Sequence, residues 1–461
     1  MNILKALAAL LSRHPSGSDG GLSRHHSLDC SLSAKLAIAL LALLFHVSGA
    51  LWTAAKIPFP STIDELQHLS YVQEMAEVPI LFPRFEKMRI LNDTLGAFTP
   101  RANYLNHPSP YYHLMALIDD PAAPAVTRIW VLRVANLVLS SLGIILMLFA
   151  GMTLLSNLGA FALFAAILVM FPKLAIVGGL INNDNLGVLA TGLCFVGLAR
   201  LHRGGGNGAG MLFGLGIALA GWTKLTVLVM IGFVLIASEL LRLGEAQDRR
   251  RWLALGVASA IGAVGFIPTI WNFITYGRPL YIYTGLAHNF VPVAERPALD
   301  FLDHAALFLH QMVLKWPALE PAQWIQIVGL AGAMAAVLTI IAVEARARWR
   351  CAGATQIPGP GGAANLIAAA YGLSVVTTLA VHITFGWRVF LEMGDLTSAQ
   401  PRYYYVVWPG LALAITLALR LLPPGRLRAY GSICLLTALA VATIQFAVFS
   451  AALTGTPLAP H

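Results

Sequence analysis

Charge is scarce in this chain. Asp and Glu together number 21 in 461 residues, and charged residues make up 11% of the whole, against about 25% in an ordinary soluble domain. Hydrophobic residues make up 58% and the mean hydropathy is +0.73. A soluble globular protein is thereby excluded, and an all-α polytopic membrane protein is expected. Cysteine is also sparse. Cys30 and Cys351 sit in basic segments, Cys194 and Cys434 in apolar runs, with neither a disulfide framework nor metal-type spacing. The net charge of +9 does not indicate a nucleic-acid partner, because the basic residues cluster between apolar runs as the positive-inside rule requires. No convincing internal repeat is present and charges near the span midplanes are almost absent, which argues against a transporter or flippase with a midplane site.

What the chain does have is a succession of apolar runs. Spans are expected near residues 36–54, 130–154, 160–181, 186–201, 253–271, 325–343, 365–385, 406–422 and 431–451. The stretch 211–241 is interrupted by Trp222-Thr-Lys-Leu-Thr226. It lies between two basic turns, Arg200–Arg203 and Arg249–Arg251, that belong on the same side, so it reads as a hairpin with Lys224 at its outer tip. The total is about eleven spans, with the N-terminus cytoplasmic and the C-terminus outside. Residues 1–35 form a cytoplasmic tail, amphipathic over 2–13 and flexible over 14–32, and no cleaved signal peptide is expected. The span domain covers 36–452, with outer loops at 56–129 and 272–323, and residues 453–461 form an outer tail. A loop as long as the first is usually functional.

The polar residues of interest fall on the outer side. Just after the first span, Asp64 and Glu65 stand together. Thr62, three residues before Glu65, forms a capping box that accounts for Glu65 and starts a helix. On that helix Asp64, His68 and Tyr71 share one face. Asn106-His-Pro-Ser-Pro-Tyr-Tyr112 supplies His107, Tyr111 and Tyr112, on what is otherwise a rigid turn before a helix. Asn182, Asn183 and Asp184 precede the fourth run and double as its cap. Lys224, Arg402 and Tyr403 complete the group; each cation could instead snorkel or anchor at the bilayer surface. The second loop carries Tyr281, Tyr283, His288, His304 and His310, taken as solvated. Two cations at a bilayer surface suit a lipid phosphate. A carboxylate beside them suits removal of a proton from an acceptor hydroxyl.

Five pieces in this order, Asp64-Glu-Leu-Gln-His68, His107-Pro-Ser-Pro-Tyr-Tyr112, Asn182-Asn-Asp184, Thr223-Lys-Leu225 and Gln400-Pro-Arg-Tyr403, give the chain a resemblance to the GT-C superfamily of membrane glycosyltransferases. The nearest group holds the lipid A aminoarabinose transferase and the protein O-mannosyltransferases. The resemblance implies a GT-C-like helical bundle with short helices in the first outer loop, in the bacterial inner membrane. It implies sugar transfer from a polyprenyl-phosphate donor, the co-substrate, to a glycan, lipid or protein acceptor. Asp64 would be the catalytic carboxylate, with Glu65 and His68 beside it. Lys224 and Arg402 would hold the donor phosphate, and His107, Tyr111, Tyr112, Asn182–Asp184 and Tyr403 the substrates. A divalent metal beside the aspartate is left open, since relatives differ. Unlike larger relatives, no soluble domain is expected after the last span, which leaves acceptor recognition to the two loops. A ligase or polymerase of lipid-linked glycans is the competing enzyme, and a structural subunit of an envelope complex the competing non-enzyme.

Overall fold

The structure, a computed structural model, describes residues 23–61, 64–92, 94–243, 248–279, 291–314, 320–350, 360–394, 401–423 and 425–453. Among the described residues helices dominate, and the sheet is one short hairpin. The first helix, α1 (Ser23–Lys56), begins well before the expected span. The part of the expected flexible stretch from Ser23 to Leu32 is therefore helical, as its lack of Gly and Pro permits; residues 1–22, including the amphipathic stretch, lie outside the described residues.

Among the described residues, five helices are long and apolar enough to cross a membrane: Ser31–Lys56, Ala125–Leu154, Asp184–Leu201, Arg249–Tyr276 and Gly362–Met393. The expected third span is a sixth only as a bent pair, α5 (Leu158–Val169) and α6 (Pro172–Gly179), which meet at 54°. Proline explains the break. Pro172 cannot donate a backbone hydrogen bond inside a helix, but it suits the first position of a new one. The apolar helices Leu225–Leu240 (α9) and Trp408–Leu421 (α15) are shorter than a full span. By length and composition, then, the described residues give five or six spans.

The hairpin at Lys224 follows from packing. Helices α8 (Asn207–Thr223) and α10 (Arg249–Gly262) run side by side in the same direction, with Gly210 against Ala254, Gly214 against Ala258 and Gly221 against Gly265. Glycine is needed there, since a Cβ at 214 would stand 2.7 Å from the carbonyl oxygen of Ala258. Parallel neighbours oblige the helix between them, α9, to return. Glu239 near its end pairs with Arg251, and Arg242 beyond it meets His202 Nδ1 at 3.3 Å. Lys224 is extended (φ −157°, ψ 142°) at the single-residue break between α8 and α9. The opposite end gathers basic groups, and Lys35 Nζ there donates to the Leu155 carbonyl at 2.8 Å.

The first loop folds into a small body of its own. It holds α2 (Glu65–Glu77), a hairpin of β1 (Arg89–Leu91) and β2 (Phe98–Ala102), and α3 (Pro110–Ala116). Its core of Leu69, Tyr71, Val72, Phe85, Tyr111, Tyr112 and Met115 closes against Leu132, Leu139, Ile181 and Leu186 of the bundle. The bundle's own core is rich in aromatics, among them Phe161, Phe164, Phe195, Tyr371 and Tyr405.

Two buried ion pairs attach this body to α4 (Ala125–Leu154). Arg128 grips Asp119 with Nε at 2.9 Å and Nη2 at 2.6 Å. Arg133 grips Glu65 through Nε and Nη2, both at 2.8 Å, and its Nη1 donates to the carbonyls of Ala54 and Ile57. Glu65 also accepts from the backbone N–H groups of Ile181 and Ser61. Thr62, the expected capping partner, lies outside the described residues. Removing one partner of a buried pair strands the other charge. Arg133→Met is expected to cost about 3–5 kcal/mol, read as thermal unfolding of purified protein in detergent. The double change Glu65→Leu with Arg133→Met should recover part of the loss, and a double variant no more stable than the single would contradict this account.

Candidate active site

Asp64 stands at the N-cap of α2 but does not cap it. Its backbone is left-handed (φ 58°, ψ 23°), a conformation few non-glycine residues adopt. The carboxylate turns instead to Tyr104, whose hydroxyl donates to Oδ1. One turn on, His68 Nδ1 lies 3.0 Å from the Tyr112 hydroxyl. A second turn on, Tyr71 stacks on Tyr112 with ring centroids 3.7 Å apart. His68 and Tyr71 therefore serve one partner while Asp64 serves another.

The turn before α3 behaves as a cap as well as a site. Ser109 accepts from the Tyr111 N–H and Pro110 takes the first helical position. His107, buried, points its Nε2 at Asn183 Nδ2, 2.5 Å away, and its Nδ1 at Asn106 Oδ1, 3.2 Å away. Burial, and secondarily the Lys224 charge, hold the imidazole down to about 3, so it is neutral. Burial pushes the Tyr112 phenol well above its usual range. Tyr71, Tyr111, Asp184 and Asp64 push it the same way, so it feels both aspartates.

Asn182, Asn183, Asp184 and Asn185 are fully buried at the start of α7 (Asp184–Leu201). Asn183 Nδ2 also donates to the Thr223 carbonyl at 3.0 Å. Asn136 is the hub beneath them, its Oδ1 accepting from Tyr111 Oη, Asn185 Nδ2 and the Asn182 N–H. Lys224 Nζ reaches Asp184 Oδ1 at 2.5 Å and lies 5.7 Å from the Tyr403 ring centroid. Among the described residues, Asn182 Nδ2, Asn183 Oδ1 and Asp184 Oδ2 are buried without a hydrogen-bond partner, which is uncommon for such groups. His107 thus meets Asn183, and the next residue, Asp184, meets Lys224, which lies over the Tyr403 ring, while Tyr112 links His107 to His68.

Arg402 lies in the 3-10 turn Pro401–Val406, which carries Tyr403 to Lys224; its side chain is outside the described residues, as are Tyr281, Tyr283 and His288. His304 is not solvated. It is buried in a separate aromatic cluster, 5.4 Å from Trp387 and 5.8 Å from Phe390 between ring centroids. Glu65 is occupied by Arg133. Sequence reasoning missed Tyr104, Asn136, Arg128 and Arg133. The two arginines left a signal, since they open a span at the end opposite the basic turns, where uncompensated cations are not expected. Among the described residues no three His, Cys, Asp or Glu side chains are arranged to hold a metal ion.

The chain is similar to the crystal structure of ArnT from Cupriavidus metallidurans in the apo state. The TM-score is 0.47 at 15% identity, covering 94% of this chain and 77% of that one. No family model matches, and no curated protein is similar at a significant level.

His107 gives a pH signature. The unfolded chain accepts its proton near pH 6.5, whereas the folded protein refuses it until about pH 3. The stability this contributes is complete above pH 6.5 and is lost as pH falls towards 3; at pH 5 the loss is about 2 kcal/mol. Wild-type protein should therefore melt lower at pH 5 than at pH 7.5, and His107→Gln should narrow that gap. An unchanged gap would show that His107 is not the group refusing the proton.

Proposed function

We propose that the protein transfers a sugar from a polyprenyl-phosphate donor to an envelope glycan, lipid or protein acceptor at the outer face of a bacterial inner membrane. The observation that carries this reading is the polar group at the Lys224 tip. A cation, a buried carboxylate with an unpartnered oxygen and two buried asparagines with unpartnered polar atoms meet at the end of an apolar bundle, under a folded loop that brings a second carboxylate, Asp64. A lipid-borne phosphate arrives at that depth, and a polar acceptor arrives from the loop side. The order of the five sequence motifs supports the same reading. The topology that goes with it has about eleven crossings, counting the Lys224 hairpin as two and the bent pair 158–179 as one.

In this mechanism Lys224, joined by Arg402, holds the donor phosphate. Asp184 keeps Lys224 in place, and Asn182, Asn183 and Asp184 offer their unpartnered atoms to sugar hydroxyls. Asp64 takes the proton of the acceptor hydroxyl as its oxygen bonds to the sugar's anomeric carbon. The bond from that carbon to the phosphate oxygen breaks, and the leaving polyprenyl phosphate is stabilised by the two cations. His107 is neutral and serves as an acceptor for Asn183.

The test is release of polyprenyl phosphate by purified protein from a panel of polyprenyl-phosphate monosaccharides with candidate acceptors. Lys224→Ala and Arg402→Ala should each lower kcat/KM for the donor by about 100-fold while the protein stays folded. Donor kinetics unchanged in both would refute the phosphate site.

A further inference from the structure

We infer that Tyr104 is the positioning residue for Asp64, holding its carboxylate in the orientation and charge state needed to accept a proton; this rests on the proposed role of Asp64. Three observations carry it. An Asp at a helix N-cap normally turns its carboxylate back onto the first turn, yet Asp64 makes no such bond and is left-handed instead. Its Oδ1 accepts from the Tyr104 hydroxyl across 40 residues of sequence. The residue just before that phenol is fastened to the helix that Asp64 begins. The neighbouring Asn103 is fully buried, its Nδ2 donates to the Gln67 carbonyl at 2.9 Å, and its Oδ1 accepts from the Leu105 N–H at 3.1 Å. Its own N–H donates to the Met88 carbonyl at 2.8 Å.

A donor fixed in this way does two things. It selects one carboxylate orientation without an ordering cost at each turnover. It also favours the charged form, because a hydrogen bond to a carboxylate stabilises the anion over the acid. Asp64 is then presented in one orientation beside Tyr112 and the Asp184 group. A tyrosine serving only to pack the loop would do neither.

The experiment is an infrared titration of purified protein, with the Asp64 carboxylate band identified as the one absent from Asp64→Asn. Tyr104→Phe keeps the ring and removes the donor. The titration midpoint of that band should rise by about one pH unit, and the acid limb of kcat/KM for sugar transfer should rise with it. If Tyr104→Phe does not purify as folded protein, Tyr104→Met also removes the donor and is read in the same way. A midpoint unmoved in the folded variant overturns the inference. A midpoint that moves while transfer proves independent of Asp64 leaves the positioning standing and removes the catalytic reading instead.

Discussion

The ion pair between Glu65 and Arg133 is the constraint on which the rest of the structure depends. Both side chains are buried, at 0% and 4% exposure, and two charges in that position are tolerable only when their hydrogen-bonding capacity is met. Arg133 meets it with Glu65 and with the carbonyls that end the first span; Glu65 meets it with Arg133 and the N–H groups of Ser61 and Ile181. One pair thereby joins α1, the loop, α4 and the segment leading to Asn182. It also sorts the two adjacent carboxylates. With Glu65 turned into the bundle, Asp64 is turned the other way, in the left-handed conformation that brings it to Tyr104.

The second constraint is that a broken helix at a bilayer boundary frees backbone groups that need partners. The breaks at Leu180–Asn183 and at Lys224 occur where the polar side chains are. Asn185 Nδ2 takes the carbonyls of Val177, Leu180 and Asn182, and Asn183 takes that of Thr223. The asparagines are thus largely spent on the backbone, and what remains unpartnered is what a ligand can use. Placing a lysine at a one-residue break puts its charge at the helix tip, against Asp184.

Much of this was legible in the sequence, for local reasons. Apolar runs and basic turns write the helical architecture directly, and the side parity of Arg200–Arg203 and Arg249–Arg251 requires the return at Lys224 that the packing of α8 on α10 displays. Ser109 and Pro110 announce α3 through capping chemistry. Where the reading failed, the cause was distance along the chain. Thr62 three residues before Glu65 suggested a local cap, while Arg133, 68 residues away, holds the carboxylate. Tyr104 and Asn136 carry no local signature at all. The short hairpin of β1 and β2 stayed hidden because it is three to five residues a side inside a polar loop. The bend at Pro172 was written in the sequence and lay within a run apolar enough to read as continuous.

Under the proposed function the two neighbours divide the labour, Glu65 holding the fold and Asp64 carrying the chemistry. The most direct measurement compares Asp64→Asn and Glu65→Gln side by side for melting temperature and for sugar transfer from a polyprenyl-phosphate donor. Asp64→Asn should melt close to wild type and lose transfer, while Glu65→Gln should melt several degrees lower, as loss of a buried charge pair requires. An Asp64→Asn protein that transfers sugar at the wild-type rate, or a Glu65→Gln protein with unchanged stability, would contradict the account.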